Sequence, residues 1–108
     1  MHDYTKVLQN NLTNNIREIL KNEGLDEIFV VKKEQKISVF GNIDIAIFKK
    51  DDEFENPKKI LGIEIEVVNQ YKQIVKNFDN FKNYIHKSKN RKGGLLQIFS
   101  NFANIDTD

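Results

Sequence analysis

The sequence predicts an α/β fold with the core order αβββαβ, in which a four-stranded mixed sheet is flanked by helices. Two observations predict this class. Long segments near the two ends carry apolar residues at helical spacing, and the apolar, β-branched runs between and after them have the length of strands. The 108 residues fit one domain, which we expect to span residues 1–108.

The two helical segments are predicted from the period of their apolar residues. The first covers residues 4–22, and Gly24 is suited to end it. The second covers roughly residues 70–87, with Gln70 at its start. Its apolar stripe is typical of a helix that packs on a core. The stripe consists of Tyr71, Ile74, Val75, Phe78, Phe81 and Ile85.

Apolar runs predict the strands, and polar or glycine-containing segments separate them. The predicted strands are residues 28–31, 37–48, 60–68 and 95–99. Residues 32–36 are expected to turn the chain, Gly41-Asn42 to bend the second strand, and Gly93-Gly94 to break the chain before the last. The first three strands can form an antiparallel meander. The second helix is a crossover connection, so the right-handed rule places the last strand parallel to the third.

Composition excludes several classes of function. The chain has no cysteine, which rules out disulfides, thiolate zinc sites and a cysteine nucleophile, and is compatible with a cytoplasmic location. No apolar run approaches the roughly 18 residues that span a bilayer, so no membrane partner is expected. The first residues lack the pattern of a signal peptide. The net charge of +1 indicates no partner by itself.

Charge is unevenly distributed along the chain. Residues 51–59 begin with an acidic cluster and contain Pro57, and we predict that they form a surface loop. Residues 86–92 carry basic side chains and no acid. Such a run at a helix end is most often solvated, because the helix dipole favours cations there. It can also contact phosphate groups, and both interpretations remain open.

Three carboxylates are predicted to gather on one face of the sheet. Side chains alternate along a strand, so Asp44 points away from the face that Ile43 and Ile45 share. Glu64 and Glu66 alternate with isoleucines in the same way on the third strand. When the apolar faces of these neighbouring strands are aligned, Asp44, Glu64 and Glu66 lie on the same side.

This arrangement has an ordinary interpretation and a chemical one. Alternating glutamates on a strand usually form a solvated face. The third strand, however, is central in the predicted sheet, where exposed charge is uncommon. Closely packed carboxylates repel one another, and a divalent cation removes that repulsion. Mg²⁺ prefers oxygen ligands, usually one or two carboxylates with several waters, and can activate a phosphoryl group.

The element order and two short motifs carry a resemblance. With Gly41-Asn42-Ile43-Asp44 on the second strand and Glu64-Ile65-Glu66 on the third, the chain resembles the PD-(D/E)XK nuclease superfamily over almost its whole length. The resemblance implies a restriction endonuclease-like fold, and a metal-dependent nuclease that hydrolyses phosphodiester bonds in DNA with Mg²⁺ or Mn²⁺. Because the domain is too small to enclose a duplex and such nucleases often dimerise, we also expect a homodimer.

The resemblance also implies roles for individual residues. Asp44 and Glu64 match metal ligands, and the backbone carbonyl of Ile65 completes the set. Glu18 could match an additional acid on the first helix, although an exposed helical glutamate is at least as good an interpretation. Glu66 departs from the family pattern, which has a lysine at this position.

The Glu-x-Glu motif leaves several alternatives open. Glu66 could bind metal or act as a general base, or Lys72 or Lys76 from the second helix could reach the site. If neither happens, the domain is an inactive nucleic-acid-binding or regulatory module. A structural or protein-interaction domain is the third alternative. Candidate DNA contacts are Gln73, Lys87, Lys89, Arg91 and Lys92.

Overall fold

A computed structural model describes residues 4–39, 41–66 and 71–99. The elements are α1 (Tyr4–Asn22), β1 (Phe29–Ser38), β2 (Gly41–Lys49), β3 (Lys59–Glu66), α2 (Tyr71–His86) and β4 (Lys92–Phe99). The order αβββαβ is thus as predicted. Gly24 follows α1 with the left-handed φ of 71° that is common after helix ends. The predicted strand residues 67–68 and the predicted helix start at Gln70 lie outside the described residues.

The strands form one mixed sheet in the order β1-β2-β3-β4. β1 and β2 are antiparallel, as are β2 and β3, whereas β4 runs parallel to β3. This confirms the predicted meander and the crossover through α2. Among the residues that the structure describes, neither helix is long and apolar enough to cross a membrane.

Each face of the sheet has its own apolar cluster. The cluster on the α1 side is formed by Val31, Ile45, Ile63 and Ile65 under Leu8, Leu12, Ile16 and Leu20 of the helix. The cluster on the α2 side is formed by Ile37, Ile43, Ala46, Phe48, Ile60, Phe81 and Tyr84. Both faces of the central strands are therefore covered. A charged side chain on either face of these strands is partly shielded from water, as the apolar ones are.

The first hairpin differs from the prediction. β1 continues through residues 32–36 to Ser38, and the chain reverses between Ser38 and Gly41. The predicted turn at residues 32–36 is therefore wrong, and Gly41-Asn42 begins β2 instead of bending it.

Polar side chains of residues 32–36 remain in the strand because they have partners there. Gln35 is fully buried and donates hydrogen bonds to the carbonyl oxygens of Lys36 and Glu55. Lys32 lies 4.2 Å above the ring of Phe54, in a cation–π contact. Interactions with the loop after β2 thus satisfy Lys32 and the amide nitrogen of Gln35, whereas Gln35 Oε1 is buried without a hydrogen-bond partner among the described residues.

The start of the last strand also differs from the prediction. β4 begins at Lys92, so Gly93-Gly94 lies inside the strand and does not break it. Gly93 pairs with Ile60, and a Cβ atom at Gly93 would collide with the Ile60 carbonyl oxygen. The glycine therefore permits a close approach of β4 to β3.

The predicted apolar stripe of α2 is only partly buried. Phe81 is buried as predicted. The exposed members of the stripe are Tyr71, Val75 and Phe78. The interpretation of Tyr71 as a core residue is therefore wrong. The helix instead buries Asn77 and Tyr84, whose polar atoms have hydrogen-bond partners inside the fold.

The loop between β2 and β3 is fixed to the rest of the fold. The carboxylate of Asp52 accepts hydrogen bonds from the backbone N–H groups of Glu53 and Lys58 in the loop and of Lys59 at the start of β3. The hydroxyl of Tyr84 donates to the carbonyl oxygen of Pro57 at 2.8 Å, and Pro57 is fully buried. The predicted surface loop is thus anchored from α2.

We expect Tyr84→Phe to lower the free energy of unfolding by about 1–2 kcal/mol, because the buried Pro57 carbonyl would lose its donor. Urea unfolding followed by circular dichroism measures this change. Tyr71→Phe is the matched control, since it removes the same hydroxyl from an exposed ring. Equal effects of the two substitutions would contradict the proposed anchor.

Candidate metal centre

The β2–β3 ladder ends at the pair Ile45–Ile63, and two carboxylates join the strands beyond it. The N–H of Asp44 donates to Glu64 Oε1 at 2.8 Å, and the N–H of Ile65 donates to Asp44 Oδ2 at 2.7 Å. Each acid accepts a hydrogen bond that a ladder would direct to a carbonyl oxygen. The structure thus brings the two predicted metal ligands together.

Burial and mutual repulsion favour the protonated form of both acids. Removal from water is the largest effect on Asp44 and raises its pKa from 3.8 to about 6, although the hydrogen bond from Ile65 opposes it. Burial also raises the pKa of Glu64 from 4.5 to about 7, and the charge of Asp44 adds to this increase. Glu34 and Glu66 contribute further repulsion to both. The site concentrates more negative charge than its own hydrogen bonds offset.

We expect the metal-free protein to lose stability as the pH rises from about 4 to about 7. The folded protein binds protons more tightly than the unfolded chain over this interval, because folding raises the pKa of Asp44 and Glu64. The stabilisation is complete below the unfolded-state pKa values and is lost as the pH rises through the folded-state values. After allowance for solvent screening, the loss amounts to about 1–3 kcal/mol.

Urea unfolding in the presence of a chelator, at about pH 5 and about pH 7.5, tests this dependence. Glu64→Gln should flatten the profile, since it removes one of the two titrating groups. A wild-type free energy of unfolding that rises steadily over the same interval would contradict the expected repulsion.

Glu34 is an additional acid near the site that sequence analysis missed. Glu34 lies within β1 between Lys33 and Gln35, whose partners Ile45 and Ile43 flank Asp44 on β2. Its left-handed φ of 56° is strained for a residue with a side chain. Gln9 of α1 donates to Glu34 Oε1 at 3.0 Å and to the Asp44 carbonyl at 2.7 Å. No residue type in this charged stretch indicates a left-handed backbone. Only the acidic side chain of Glu34 could have suggested that the residue lies near the site.

The irregularity at Glu34 and Asp44 changes which face of the sheet the neighbouring residues occupy. Ile43 packs in the α2-side cluster, whereas Ile45 packs in the α1-side cluster. The predicted alternation, with Ile43 and Ile45 on one face, is therefore wrong. Asp44 lies where the alternation reverses, and its carboxylate accordingly reaches the backbone of β3.

Glu66 is held by amide side chains where the family pattern has a lysine. Asn77 Nδ2 donates to Glu66 Oε1 at 2.9 Å and to Gln97 Oε1 at 3.0 Å. Asn77 Oδ1 accepts from Gln73 Nε2 at 2.9 Å, and Gln97 Nε2 donates to the Ile74 carbonyl at 2.7 Å. The network fixes Glu66 and engages Gln73, which was predicted as a DNA contact, in support of Asn77.

A cavity of about 300 Å³ opens beside the acids. Its lining includes Asp44, Glu64, Ile65 and Glu66. Lys72 and Lys76 of α2 are both exposed, but Lys76 lines the same cavity and Lys72 does not. Of the two lysines that the sequence left as alternatives, the structure therefore brings Lys76 to the acidic site.

Glu18 is not brought to the site. α1 approaches the acids through Gln9, near its first turns. Glu18 is exposed and lies nine residues further along the helix, which corresponds to roughly 13 Å. It therefore has the position of an ordinary surface glutamate, and its predicted role as an additional metal ligand is not supported.

The start of β4, in the basic segment, lies away from the acids, whereas Lys87 lies beside the β1–β2 hairpin, in a cavity lined by Ile37 and Asn80, which also line the acidic cavity. Gln97 pairs with Glu64, and Lys92 precedes it by five residues, or roughly 16 Å of strand. Arg91 stacks on the ring of Tyr84 at 4.0 Å and donates to the Tyr84 carbonyl at 2.8 Å, so it has a structural role. The exposed cations of the segment are Lys87, Lys89 and Lys92.

A metal ion at this site would rely on two carboxylates and a backbone carbonyl. In the described ranges, no group of three His, Cys, Asp or Glu side chains is arranged to hold a metal ion. Asp44 and Glu64 each use one carboxylate oxygen in a hydrogen bond between the strands, and the second oxygen of each takes no part in these bonds. Mg²⁺ usually takes only one or two carboxylates and keeps several waters, so this donor set fits it.

Comparison with protein-family models, with curated proteins and with solved structures finds no match to this chain. The α/β architecture is established by the structure itself.

Proposed function

We propose that the chain is a metal-dependent nuclease that hydrolyses phosphodiester bonds in DNA, with a restriction endonuclease-like fold of the PD-(D/E)XK type. The observation that carries the proposal is the joining of β2 and β3 through Asp44 and Glu64, beside a cavity that also contains Lys76. Half-buried acids that repel each other destabilise a fold, which favours a role for their charge.

Asp44, Glu64 and the carbonyl of Ile65 would hold Mg²⁺ or Mn²⁺. Their oxygen atoms are the hard ligands that these ions prefer, and a bound cation would remove the repulsion between the two acids. When bound, the ion supplies Lewis-acid activation of the phosphate and of the attacking water.

Glu66 and Lys76 would carry out the remaining steps. Asn77 orients the carboxylate of Glu66 at the cavity, where it can accept a proton from water as the new P–O bond forms. Lys76 would offset the negative charge that develops as the P–O bond to the leaving oxygen breaks. In this arrangement, α2 provides the lysine that is missing at position 66.

We expect Lys76→Met to reduce metal-dependent cleavage by about a hundredfold, because the developing charge would lose its cation. Lys72→Met is the matched control, since it removes the same charge from the same helix outside the cavity. Initial rates on plasmid DNA measure both variants. Equal rates for the two would contradict the role of Lys76.

The exposed lysines of the basic segment are proposed to contact the DNA backbone away from the scissile bond. Lys92 lies roughly 16 Å along β4 from the residue that pairs with Glu64, which corresponds to about five nucleotide steps of one strand. Contacts at that distance would position the substrate without taking part in the chemistry.

An inactive nucleic-acid-binding or regulatory module is the second candidate. The observation that favours it is the binding of Glu66 by Asn77, in place of a lysine at position 66. Such a module would bind DNA through its lysines while the acids, without metal, remained partly protonated near neutral pH.

Titration of the purified protein with Mg²⁺ and Mn²⁺, in the presence of plasmid and branched DNA, tests the nuclease. We expect cleavage that requires the metal, together with calorimetric metal binding that Glu64→Gln weakens. DNA binding without cleavage under either metal would favour the inactive module. Neither cleavage nor DNA binding would leave a protein-interaction domain.

A further inference from the structure

The two edges of the sheet differ in how they resist pairing with another strand. β1 carries several charged residues along its length, and Glu34 interrupts its regular backbone. β4 carries no charge after Lys92 and is regular from there to Phe99. Charges and irregularities are the usual protection of an edge strand, so β1 is protected and β4 is not. In the described part of the chain, no strand pairs with the outer edge of β4.

Apolar side chains are exposed on the α1 side of this edge. Leu95 and Gln97 face α2, so Leu96 and Ile98 point to the opposite face of the sheet. Leu96 is 53% exposed, although its partner Ile63 on β3 is buried. The cover that α1 provides therefore ends at β3. The strip on this side comprises Leu61, Leu96 and Ile98.

A second apolar strip follows α2 on the other side of the same edge. One flank of α2, with Gln73 and Lys76, borders the acidic cavity above β2 and β3. Residues spaced three and four apart on the opposite flank face the open side of β4. That flank carries Tyr71, Val75 and Phe78, and Tyr71 is 78% exposed. Phe99, exposed at the end of β4, continues the strip.

We propose that a second copy of the chain pairs antiparallel with β4, about a two-fold axis perpendicular to the sheet. This operation keeps the faces of both sheets aligned. It therefore brings the Leu96 strip against its own copy on one side, and the α2 flank against its own copy on the other. A single symmetric contact would thus give the backbone N–H and C=O groups at the outer edge of β4 hydrogen-bond partners and would cover both apolar strips.

The exposed apolar area is close to what a stable dimer needs. Seven of the fourteen large apolar side chains that are exposed in the described residues surround this edge. A fully exposed large side chain presents on the order of 200 Å², so these seven, exposed at 38–78%, present roughly 700 Å² per copy. A standard interface buries about 800 Å² per partner. The seven apolar side chains themselves are uncharged, and the exposed Lys82, four residues after Phe78, continues the same flank of α2.

The proposed dimer would place both acidic cavities on the same face of one continuous sheet. Each cavity lies on the α2 side, and the two-fold axis preserves that side. The dimer does not depend on the proposed nuclease activity, because none of the seven apolar side chains that form it lines the acidic cavity.

Sedimentation equilibrium of the full chain tests the proposal, because the measured mass requires no activity. We expect a dimer at micromolar concentrations, and at least a hundredfold weaker association for Leu96→Lys, since pairing would bury the introduced charges against each other. Phe78→Lys should act similarly from the helix and does not alter the sheet. Ile19→Lys, at an exposed site on α1, is the matched control and should remain dimeric.

Circular dichroism spectra of each variant establish that it is folded. A wild-type chain that is monomeric at about 100 μM would overturn the proposal. The edge of β4 would then be covered by another segment of the chain or by another protein. A wild-type dimer that neither Leu96→Lys nor Phe78→Lys weakens would also overturn it, because association would then use another surface.

Discussion

Replacing Glu64 with glutamine is expected to reduce Mg²⁺-dependent cleavage at least about a thousandfold and, at the same time, to stabilise the metal-free protein. Cleavage falls because the site loses one of its two anionic ligands. Stability rises because glutamine can still accept the hydrogen bond from the Asp44 N–H but no longer repels the Asp44 carboxylate. Above about pH 7 we expect a gain of about 1–2 kcal/mol in the free energy of unfolding, after allowance for solvent screening.

Single-turnover cleavage and urea unfolding with a chelator measure the two effects of Glu64→Gln separately. Glu23→Gln, at an exposed position beyond α1, is the control for loss of a negative charge and should change neither quantity. A Glu64→Gln variant that cleaves at the wild-type rate would remove Glu64 from the proposed metal site. A variant that is less stable than the wild type at about pH 7.5 would contradict the repulsion between the acids.

Gly93→Ala is expected to destabilise the fold by about 3 kcal/mol, the largest stability effect that we predict. The added Cβ would collide with the carbonyl oxygen of Ile60, and a backbone atom cannot move aside by changing rotamer. Relief of this contact requires β4 to separate from β3, which weakens the parallel ladder along the acidic strand.

The adjacent glycine provides the matched control for this substitution. A methyl group at Gly94 would meet no atom within 4 Å, so Gly94→Ala should leave the stability unchanged or raise it slightly by restricting the unfolded chain. Urea unfolding measures both variants. A similar loss of stability for Gly93→Ala and Gly94→Ala would indicate that glycine flexibility, and not close approach of the strands, is required in β4.

The order of elements was predictable because it depends on the period of the apolar residues. The boundaries of the hairpin were not, because residues 32–36 look like a turn until their partners are known. Gln35 is buried against the carbonyl of Glu55, which is distant in sequence. The same applies to Gly93, because the residue that leaves no room for a side chain there is Ile60 on another strand. Local patterns do not contain these long-range contacts.

The site was predictable in composition but not in geometry. Strand placement identified Asp44 and Glu64, and the structure joins them. Regular alternation would leave their carboxylates side by side on one face, whereas the reversal at Glu34 turns Asp44 toward the backbone of β3. The choice of Lys76 over Lys72 depends on the rotation of α2, which is set by the burial of Asn77. An apolar stripe alone predicts a different rotation.

The hydrogen bonds that the Glu64 carboxylate accepts from the Asp44 N–H, and the Asp44 carboxylate from the Ile65 N–H, have a consequence for selection. Asparagine and glutamine side chains could accept the same bonds from the backbone and would not repel each other. A chain under selection for stability alone would therefore tend to exchange these acids for amides. Acids at both positions are therefore expected when the negative charge at this point matters more than the stability that amides would add.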